Sequence, residues 1–122
     1  MRVQTPRVRE LPRGYKHQHK TLCLDFDGVL HRYSQGWQGG EIYDPPTEGT
    51  EDALGRLSTR YDFVVCTARH NLDDVEAWLR AHRLRRFMKA PASNRKPAAF
   101  RYVDDRGLLF TGSWEPVLDE LL

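Results

Sequence analysis

The feature of this sequence that most limits its fold is a short, nearly continuous apolar run, TLCLDF, that begins at Thr21 and ends in acidic residues. A strand that is apolar at consecutive positions is covered on both faces, which is typical of a parallel strand between two layers of helices. A second run of this kind, YDFVVCT, begins at Tyr61 and follows a segment with the apolar spacing of a helix. The alternation predicts βαβ units, and therefore an α/β fold with a mainly parallel central sheet.

The rest of the sequence continues this alternation. Helices are predicted at residues 47–60 and in NLDDVEAWLRAHRL, where acidic residues come early and basic residues late, as the helix dipole favours. RFMKA is predicted as a short third strand, FRYVDD as a fourth, GLLF as a fifth and SWEPVLDELL as a closing helix. Because 122 residues suffice for one hydrophobic core but not for two, we expect a single domain at residues 21–122.

Residues 1–20 differ from the rest of the chain in charge. Six basic residues and one acidic residue give this segment a charge of +5, which leaves −3 for the remainder of a chain whose formal net charge is +2. Two prolines, a glycine and no apolar periodicity predict a basic N-terminal arm that is extended or flexible. The sequence shows neither the apolar core of a secretory signal nor a stretch of about 18 apolar residues, so we expect a cytoplasmic protein without membrane contact.

The two cysteines do not form a metal-binding or disulfide pattern. Cys23 and Cys66 each lie within an apolar run, and neither belongs to a closely spaced group of cysteines and histidines. Both are therefore predicted to be reduced and buried.

Acidic and polar residues follow the predicted strands at the points where those strands end. They are Asp25, Asp27, Thr67, Asp104 and Asp105. Doubly wound sheets bind ligands beyond the carboxyl ends of their strands, so we expect these side chains to meet at one edge of the sheet. Lys96 lies just before the fourth strand and is expected to approach the same edge.

This predicted cluster requires a cation, because carboxylates that lie close together repel one another. Oxygen ligands without a suitably placed histidine or cysteine favour Mg²⁺, which keeps several waters and commonly shares a phosphate oxygen. The expected ligands are one oxygen of Asp25, the backbone carbonyl of Asp27 and a carboxylate from Asp104 or Asp105.

The same residues permit phosphoryl transfer. A metal-held Asp25 is a poor base, but it can attack phosphorus in line and form an aspartyl-phosphate. Asp27 lies two residues on and is predicted to protonate the leaving oxygen and later to activate water. Thr67 can donate a hydrogen bond to a phosphoryl oxygen, and the Lys96 ammonium can neutralise its charge. Arg69 follows Thr67 closely enough to reach the phosphate as well.

The segment at residues 28–46 is too rich in glycine for a helix and too aromatic for a simple linker. Two interpretations stay open for its polar and aromatic side chains. They either stack on a base, sugar or aromatic group of the substrate, or they fold the loop upon itself. The side chains are Tyr33, Gln35, Trp37, Gln38 and Tyr43.

Four segments that occur in order, DFDGVLH, CTAR, NRKPAAF and VDDRGLLFTGSW, resemble the motifs of the haloacid dehalogenase (HAD) superfamily of phosphohydrolases. In that family a DxD sequence is followed by glycine and an apolar pair, which here are Asp25, Asp27, Gly28, Val29 and Leu30. A Ser or Thr that closes an apolar strand, a Lys and an acidic pair complete the family pattern. The matching residues are Thr67, Lys96 and Asp104–Asp105.

The resemblance implies a Rossmann-like, three-layer HAD fold, without a cap domain because the intervals between the motifs are short. It implies that Asp25 and Asp27 are catalytic. It implies metal binding by Asp25, Asp27, Asp104 and Asp105, and phosphate binding by Thr67, Ala68, Arg69 and Lys96. A capless site leaves selectivity to loops or to the substrate itself, so Tyr33 and Trp37 become candidates for a substrate loop.

The function expected from these observations is an Mg²⁺-dependent phosphomonoester hydrolase acting on a phosphorylated small molecule or nucleic-acid end. A 3′-phosphatase for nucleic-acid ends or nucleotides is an alternative, since VDDR and the tail after it also resemble the phosphatase part of polynucleotide kinase–phosphatases. A second alternative is a non-catalytic phosphate-binding module. A signalling receiver domain is disfavoured, because its acidic pair follows the first strand, whereas here the pair follows Thr67 and Lys96.

Overall fold

A computed structural model describes residues 19–104 and 108–122. The predicted basic arm at residues 1–20 lies outside this range except for its last two residues, and the predicted metal ligand Asp105 lies outside it as well. In the part of the chain that the structure describes, no helix has the length and apolar character needed to cross a membrane.

Within the described residues, four strands form one parallel sheet in the order β2–β1–β3–β4. The strands are β1 (Lys20–Asp25), β2 (Tyr61–Cys66), β3 (Arg101–Asp104) and β4 (Leu108–Leu109). β1 pairs with β2 along its whole length, and its other edge pairs with β3. Consecutive residues Leu22, Cys23 and Leu24 are all buried, so both faces of β1 are covered. The predicted α/β fold with a parallel sheet is thus confirmed.

The order of the strands fixes the edge of the sheet at which a ligand is expected to bind. After β1 the chain forms β2 on one side of it, then returns to form β3 on the other side. The carboxyl ends of β1 and β3 therefore flank the crevice where the strand order reverses, which is where open α/β sheets bind ligands.

In the described ranges, three helices pack their apolar faces onto the sheet: α1 (Thr50–Leu57), α2 (Leu72–Ala81) and α3 (Glu115–Leu121). Their buried apolar residues are Ala53, Leu54, Leu57, Val75, Trp78, Leu79, Val117, Leu118 and Leu121. These side chains form one core with the buried positions of the strands. Each large apolar side chain that becomes fully buried stabilises the fold by about 1.5–3 kcal/mol relative to exposure.

The helix predicted at residues 47–60 is shorter in the structure, where α1 covers Thr50–Leu57. Gly49 precedes it in a left-handed conformation with φ of 84°, which an α-helix does not accommodate. The Thr47 hydroxyl donates to the carbonyl of Val29 at 2.7 Å, which holds this residue in the preceding loop.

The segment RFMKA does not form the predicted continuous third strand. It begins in a 3₁₀ turn at Arg85–Phe87, and only single parallel bridges join Met88 to Phe63 and Ser93 to Cys66. Pro91 lies between these bridges and has no N–H to donate, so the ladder of hydrogen bonds is interrupted. The chain nevertheless runs along the free edge of β2 here and brings the loop at residues 93–96 to the carboxyl edge of the sheet.

Candidate active site at the carboxyl ends of the strands

A tight turn after β1 holds the first two predicted catalytic residues at the edge of the sheet. The N–H of Phe26 donates to Oδ1 of Asp25 at 2.8 Å, which fixes the orientation of that carboxylate. The N–H groups of Leu30 and His31 both donate to the carbonyl of Phe26, at 3.0 and 2.9 Å. Gly28 has φ of 84°, a conformation that favours glycine and lets the chain reverse directly after Asp27.

A cleft of about 370 Å³ opens where β1, β2 and β3 end. Its lining includes five of the residues that the sequence predicts for the site: Asp25, Thr67, Ala68, Lys96 and Asp104. These residues come from three strand ends and from the loop before β3, so they are distant in sequence and close in space. Cys23, Cys66 and Asn94, to which the sequence assigned no role in the site, complete the lining.

Thr67 and Lys96 are placed so that each can donate to an anion in this cleft. The backbone N–H of Arg69 donates to Oγ1 of Thr67 at 3.2 Å, so the hydroxyl oxygen acts as an acceptor and its proton can point elsewhere. Nζ of Lys96 lies 3.4 Å from Oδ2 of Asp104, and 58% of the Lys96 side chain is exposed. The ammonium thus lies on the open side of the cleft, next to a carboxylate.

A second, smaller hollow of about 130 Å³ lies beside the cleft, and its lining includes Asp25, Asp27 and Asp104. Among the described residues, no three side chains of His, Cys, Asp or Glu come together as a metal cluster. Mg²⁺ does not require such a cluster, since one or two carboxylates, a carbonyl and water suffice. The donors at the hollow therefore fit the predicted Mg²⁺ site, with carboxylates from Asp25 and Asp104.

The Asp27 carboxylate, at the side of this hollow, forms an ion pair with Arg69. Nε of Arg69 donates to Oδ2 at 2.8 Å and Nη2 donates to Oδ1 at 3.0 Å, a bidentate arrangement. The Arg69 side chain is almost completely buried, and its Nη1 donates to the carbonyl of Gly40 at 2.7 Å. Three of the guanidinium donors thus already have partners within the protein. The predicted contact between Arg69 and phosphate stays a prediction.

His31 is a buried member of the same network, a role that the sequence did not predict for it. Its Nε2 accepts from the backbone N–H of Asp44 at 3.1 Å, so the ring proton must lie on Nδ1. Nδ1 then donates to Oδ1 of Asp27 at 2.8 Å. Aromatic rings of Phe26 and Trp78 surround the imidazole. The only sequence signal for this role is the spacing of four residues between Asp27 and His31 across a glycine turn.

Of the two interpretations of the loop at residues 28–46, the structure shows self-folding for two aromatic side chains, and stacking on a substrate stays a prediction. The hydroxyl of Tyr43 accepts from the N–H of Gln35 at 2.9 Å and donates to the carbonyl of Gly36 at 2.6 Å. Tyr33 stacks against Tyr43, so these two rings fold the loop upon itself. Trp37 behaves differently, because 59% of it is exposed.

The two thiols that line the cleft have low reactivity. Both cysteines are free thiols. The prediction of burial is confirmed for Cys23, whereas Cys66 is only half-buried. Burial raises the pKa of the Cys23 thiol to about 12, and burial also raises the pKa of the Cys66 thiol. Since the thiolate is the reactive form, the raised pKa values lower the reactivity of both groups near neutral pH.

Alkylation of the native protein should therefore be slow at Cys23. A rise of the pKa from 9.0 to about 12 lowers the thiolate fraction at pH 8 by about a thousandfold. We expect iodoacetamide at pH 8 to modify Cys23 at least about 100-fold more slowly than glutathione, as measured by mass spectrometry of the peptides. In denaturant both cysteines should react at similar rates, and rapid native labelling of Cys23 would contradict the prediction.

Comparisons with known proteins do not add a relative. None of the family models, curated proteins or solved structures compared with the chain matches it.

Proposed function

We propose that this protein is an Mg²⁺-dependent phosphomonoester hydrolase of the HAD type, which works through an aspartyl-phosphate on Asp25. One observation carries the proposal. At the crevice where the strand order reverses, the carboxylates of Asp25 and Asp104 share a cleft with the hydroxyl of Thr67 and the ammonium of Lys96. These are an attacking group, metal ligands and donors for phosphoryl oxygens, gathered from four separate segments.

The position of these residues also supports a Rossmann-like HAD fold with a single domain at residues 21–122. Asp25 closes β1, which flanks the crevice, and Thr67 directly follows β2. Asp104 closes β3, and because the strands are parallel, their carboxyl ends share one edge of the sheet. The segment between β1 and α1 is a loop held by its own aromatic side chains, which agrees with a capless site.

In the first half of the proposed reaction, an Asp25 oxygen attacks phosphorus while the bond from phosphorus to the leaving oxygen breaks. The hydrogen bond from Phe26 N–H holds the Asp25 carboxylate in one orientation, which favours in-line attack. Thr67 and Lys96 stabilise the negative charge on the phosphoryl oxygens. Mg²⁺, when bound by Asp25, Asp104 and the Asp27 carbonyl, offsets the repulsion between the carboxylates and the phosphoryl group.

In the second half, Asp27 is the proposed base that takes a proton from water as the aspartyl-phosphate is hydrolysed. Its bidentate contact with Arg69 and its hydrogen bond from His31 hold the carboxylate in one orientation, which favours proton transfer from a positioned water. Donation of a proton to the leaving group in the first half requires a protonated Asp27.

The direct test is release of inorganic phosphate from a generic phosphomonoester. With Mg²⁺ we expect turnover, and EDTA is expected to lower the rate by at least about 100-fold because the carboxylates then repel the substrate. Excess Mg²⁺ should restore the rate in the same sample. Ca²⁺ should not, because it prefers more ligands at longer distances.

The possible outcomes separate the alternatives. A rate that EDTA leaves unchanged would contradict the metal requirement. Saturable phosphate binding without release would favour a non-catalytic binding module, and a stable phosphoenzyme without turnover would favour a receiver-like function.

A further inference from the structure

Trp37 has the most exposed large apolar side chain in the described part of the chain, with 59% of its surface accessible. An exposed tryptophan is expensive to hydrate and is commonly found where a flat ligand or partner packs. Trp78 and Trp114, by contrast, are 7% and 4% exposed and belong to the core.

The exposed ring is held by a structured loop. The N–H of Gly36 donates to the carbonyl of Tyr33 at 3.2 Å, and the N–H of Glu41 donates to the carbonyl of Gln38 at 3.1 Å, so turns flank Trp37 on both sides. Nη1 of Arg69 and Nδ2 of Asn71 both donate to the carbonyl of Gly40, at 2.7 and 2.9 Å. The indole is thus presented in a fixed position, which lowers the entropy lost when a ligand stacks on it.

Arg69 connects this ring to the proposed catalytic residues. The Arg69 guanidinium carbon lies 5.0 Å from the centroid of the Trp37 ring, in a cation–π contact, while the same guanidinium binds the Asp27 carboxylate. One face of the indole therefore rests on Arg69, and the exposed area comes from the opposite face and the edges. A single arginine side chain separates the indole from Asp27.

A shallow hollow of about 540 Å³ lies beside the ring, within the size range of small-molecule sites. Trp37 supplies an aromatic wall, and Gly39 and Gly40 let a ligand approach the backbone. Glu41 and Asp74 supply carboxylates, which accept hydrogen bonds from N–H groups and repel a further anion. The hollow thus suits a flat group that carries N–H donors and has no negative charge.

We infer that the substrate is a nucleoside phosphate, whose base stacks on the outer face of Trp37 while its phosphoryl group lies in the cleft at Asp25. The inference rests on the proposed function, since it places the reacting phosphate in that site. A nucleotide carries a flat heterocycle with N–H groups at one end of a sugar and a phosphoryl group at the other. A free nucleotide and a phosphorylated nucleic-acid end share this chemistry.

The test compares kcat/KM for a nucleoside monophosphate with kcat/KM for glycerol phosphate, which lacks a flat group. The wild-type protein should prefer the nucleotide, and in Trp37→Ala the ratio of the two values should fall about tenfold or more, as expected for one lost base-stacking contact. Trp37→Phe should keep most of the preference. A wild-type ratio near one, or a ratio that Trp37→Ala leaves unchanged, overturns the inference.

Phe100→Ala provides the matched control. Phe100 is also an exposed aromatic residue, at 42%, but it precedes β3 at the opposite edge of the sheet. Its replacement should change neither kcat/KM value.

A binding measurement separates failure of this inference from failure of the proposed function. Because Trp37 is the exposed tryptophan and the other two are buried, quenching of fluorescence by a stacked nucleoside monophosphate should be saturable and should disappear in Trp37→Phe. If no phosphomonoester is hydrolysed, the proposed function fails, and saturable quenching still supports the base site. Absence of saturable quenching overturns the inference, whatever the hydrolysis assay shows.

A comparison of substrates shows whether the nucleotide is free or belongs to a nucleic-acid end. Nucleoside 5′- and 3′-monophosphates are compared with a 3′-phosphorylated single-stranded oligonucleotide, each in wild-type protein and in Trp37→Ala. A higher kcat/KM for the oligonucleotide assigns nucleic-acid ends, and a higher value for a mononucleotide assigns free nucleotides. In either case, a kcat/KM that falls in Trp37→Ala supports a base stacked on Trp37. A kcat/KM that Trp37→Ala leaves unchanged counts against the inference.

Discussion

Replacing Asp25 with asparagine is expected to lower phosphate release by about three to six orders of magnitude. The amide is nearly the same size as the carboxylate, but it has neither the nucleophilic oxygen nor the negative charge that binds the metal. Asp25 lies at the end of β1 and is only partly buried, so the variant should fold and keep its melting temperature. Phosphate release and thermal unfolding measured on the same sample check both statements.

The control for this variant is Asp62→Asn, which makes the same change on the neighbouring strand. Asp62 pairs with Thr21 at the amino end of the sheet, and 41% of its side chain is exposed. Phosphate release should be unchanged in Asp62→Asn.

Acid quenching of the wild-type reaction should also trap one phosphoryl group on the peptide that contains Asp25. Asp25→Asn with more than a few per cent of wild-type activity would remove Asp25 from the role of nucleophile.

The sequence predicts the main strands well because burial on both faces leaves a simple pattern. Leu22, Cys23 and Leu24 are consecutive apolar residues in a strand that is covered on both sides, and Phe63 to Val65 repeat the pattern in β2. Once these strands are identified, the residues that close them must lie at one edge of a parallel sheet. The positions of Asp25 and Thr67 in the cleft follow from that geometry rather than from any contact between them.

The features that the sequence did not predict depend on contacts between distant segments. RFMKA has the composition of a strand, but Pro91 and the ion pair of Arg85 with Glu76 favour a turn and two isolated bridges. The direction of the Asp27 side chain depends on Arg69, which comes from the loop after β2. No local pattern indicates which partner a side chain selects when several donors are within reach.

The path of the loop at residues 28–46 also has a non-local cause. Its carbonyl at Gly40 accepts from Arg69 and Asn71, and its carbonyl at Asp44 accepts from Nε1 of Trp78 at 2.9 Å. These donors belong to α2 and to the turn before it. The loop that presents Trp37 is therefore positioned by the same segment that binds Asp27, so recognition and catalysis are expected to change together when that segment is altered.

Replacing Arg69 with methionine tests this coupling and is expected to reduce both stability and activity. The change leaves the Asp27 carboxylate without its bidentate partner in a largely buried setting, which should lower the free energy of unfolding by about 3 kcal/mol. Loss of a fixed Asp27 should lower kcat/KM by about 100-fold, as expected for a misplaced catalytic group. Urea unfolding and initial rates measure the two effects.

A double-mutant cycle with Asp27→Asn then isolates the pair. If the two side chains interact as the structure shows, the double variant should be more stable than the sum of the single effects predicts, by about 1–3 kcal/mol. Arg86→Met is the matched control, because Arg86 pairs with Glu51 at a position where both side chains are about half exposed and water screens the contact. The free energy of unfolding of Arg86→Met should barely differ from that of the wild-type protein. If Arg69→Met instead keeps full stability and raises KM alone, Arg69 contacts the phosphate, and its pairing with Asp27 does not persist in solution.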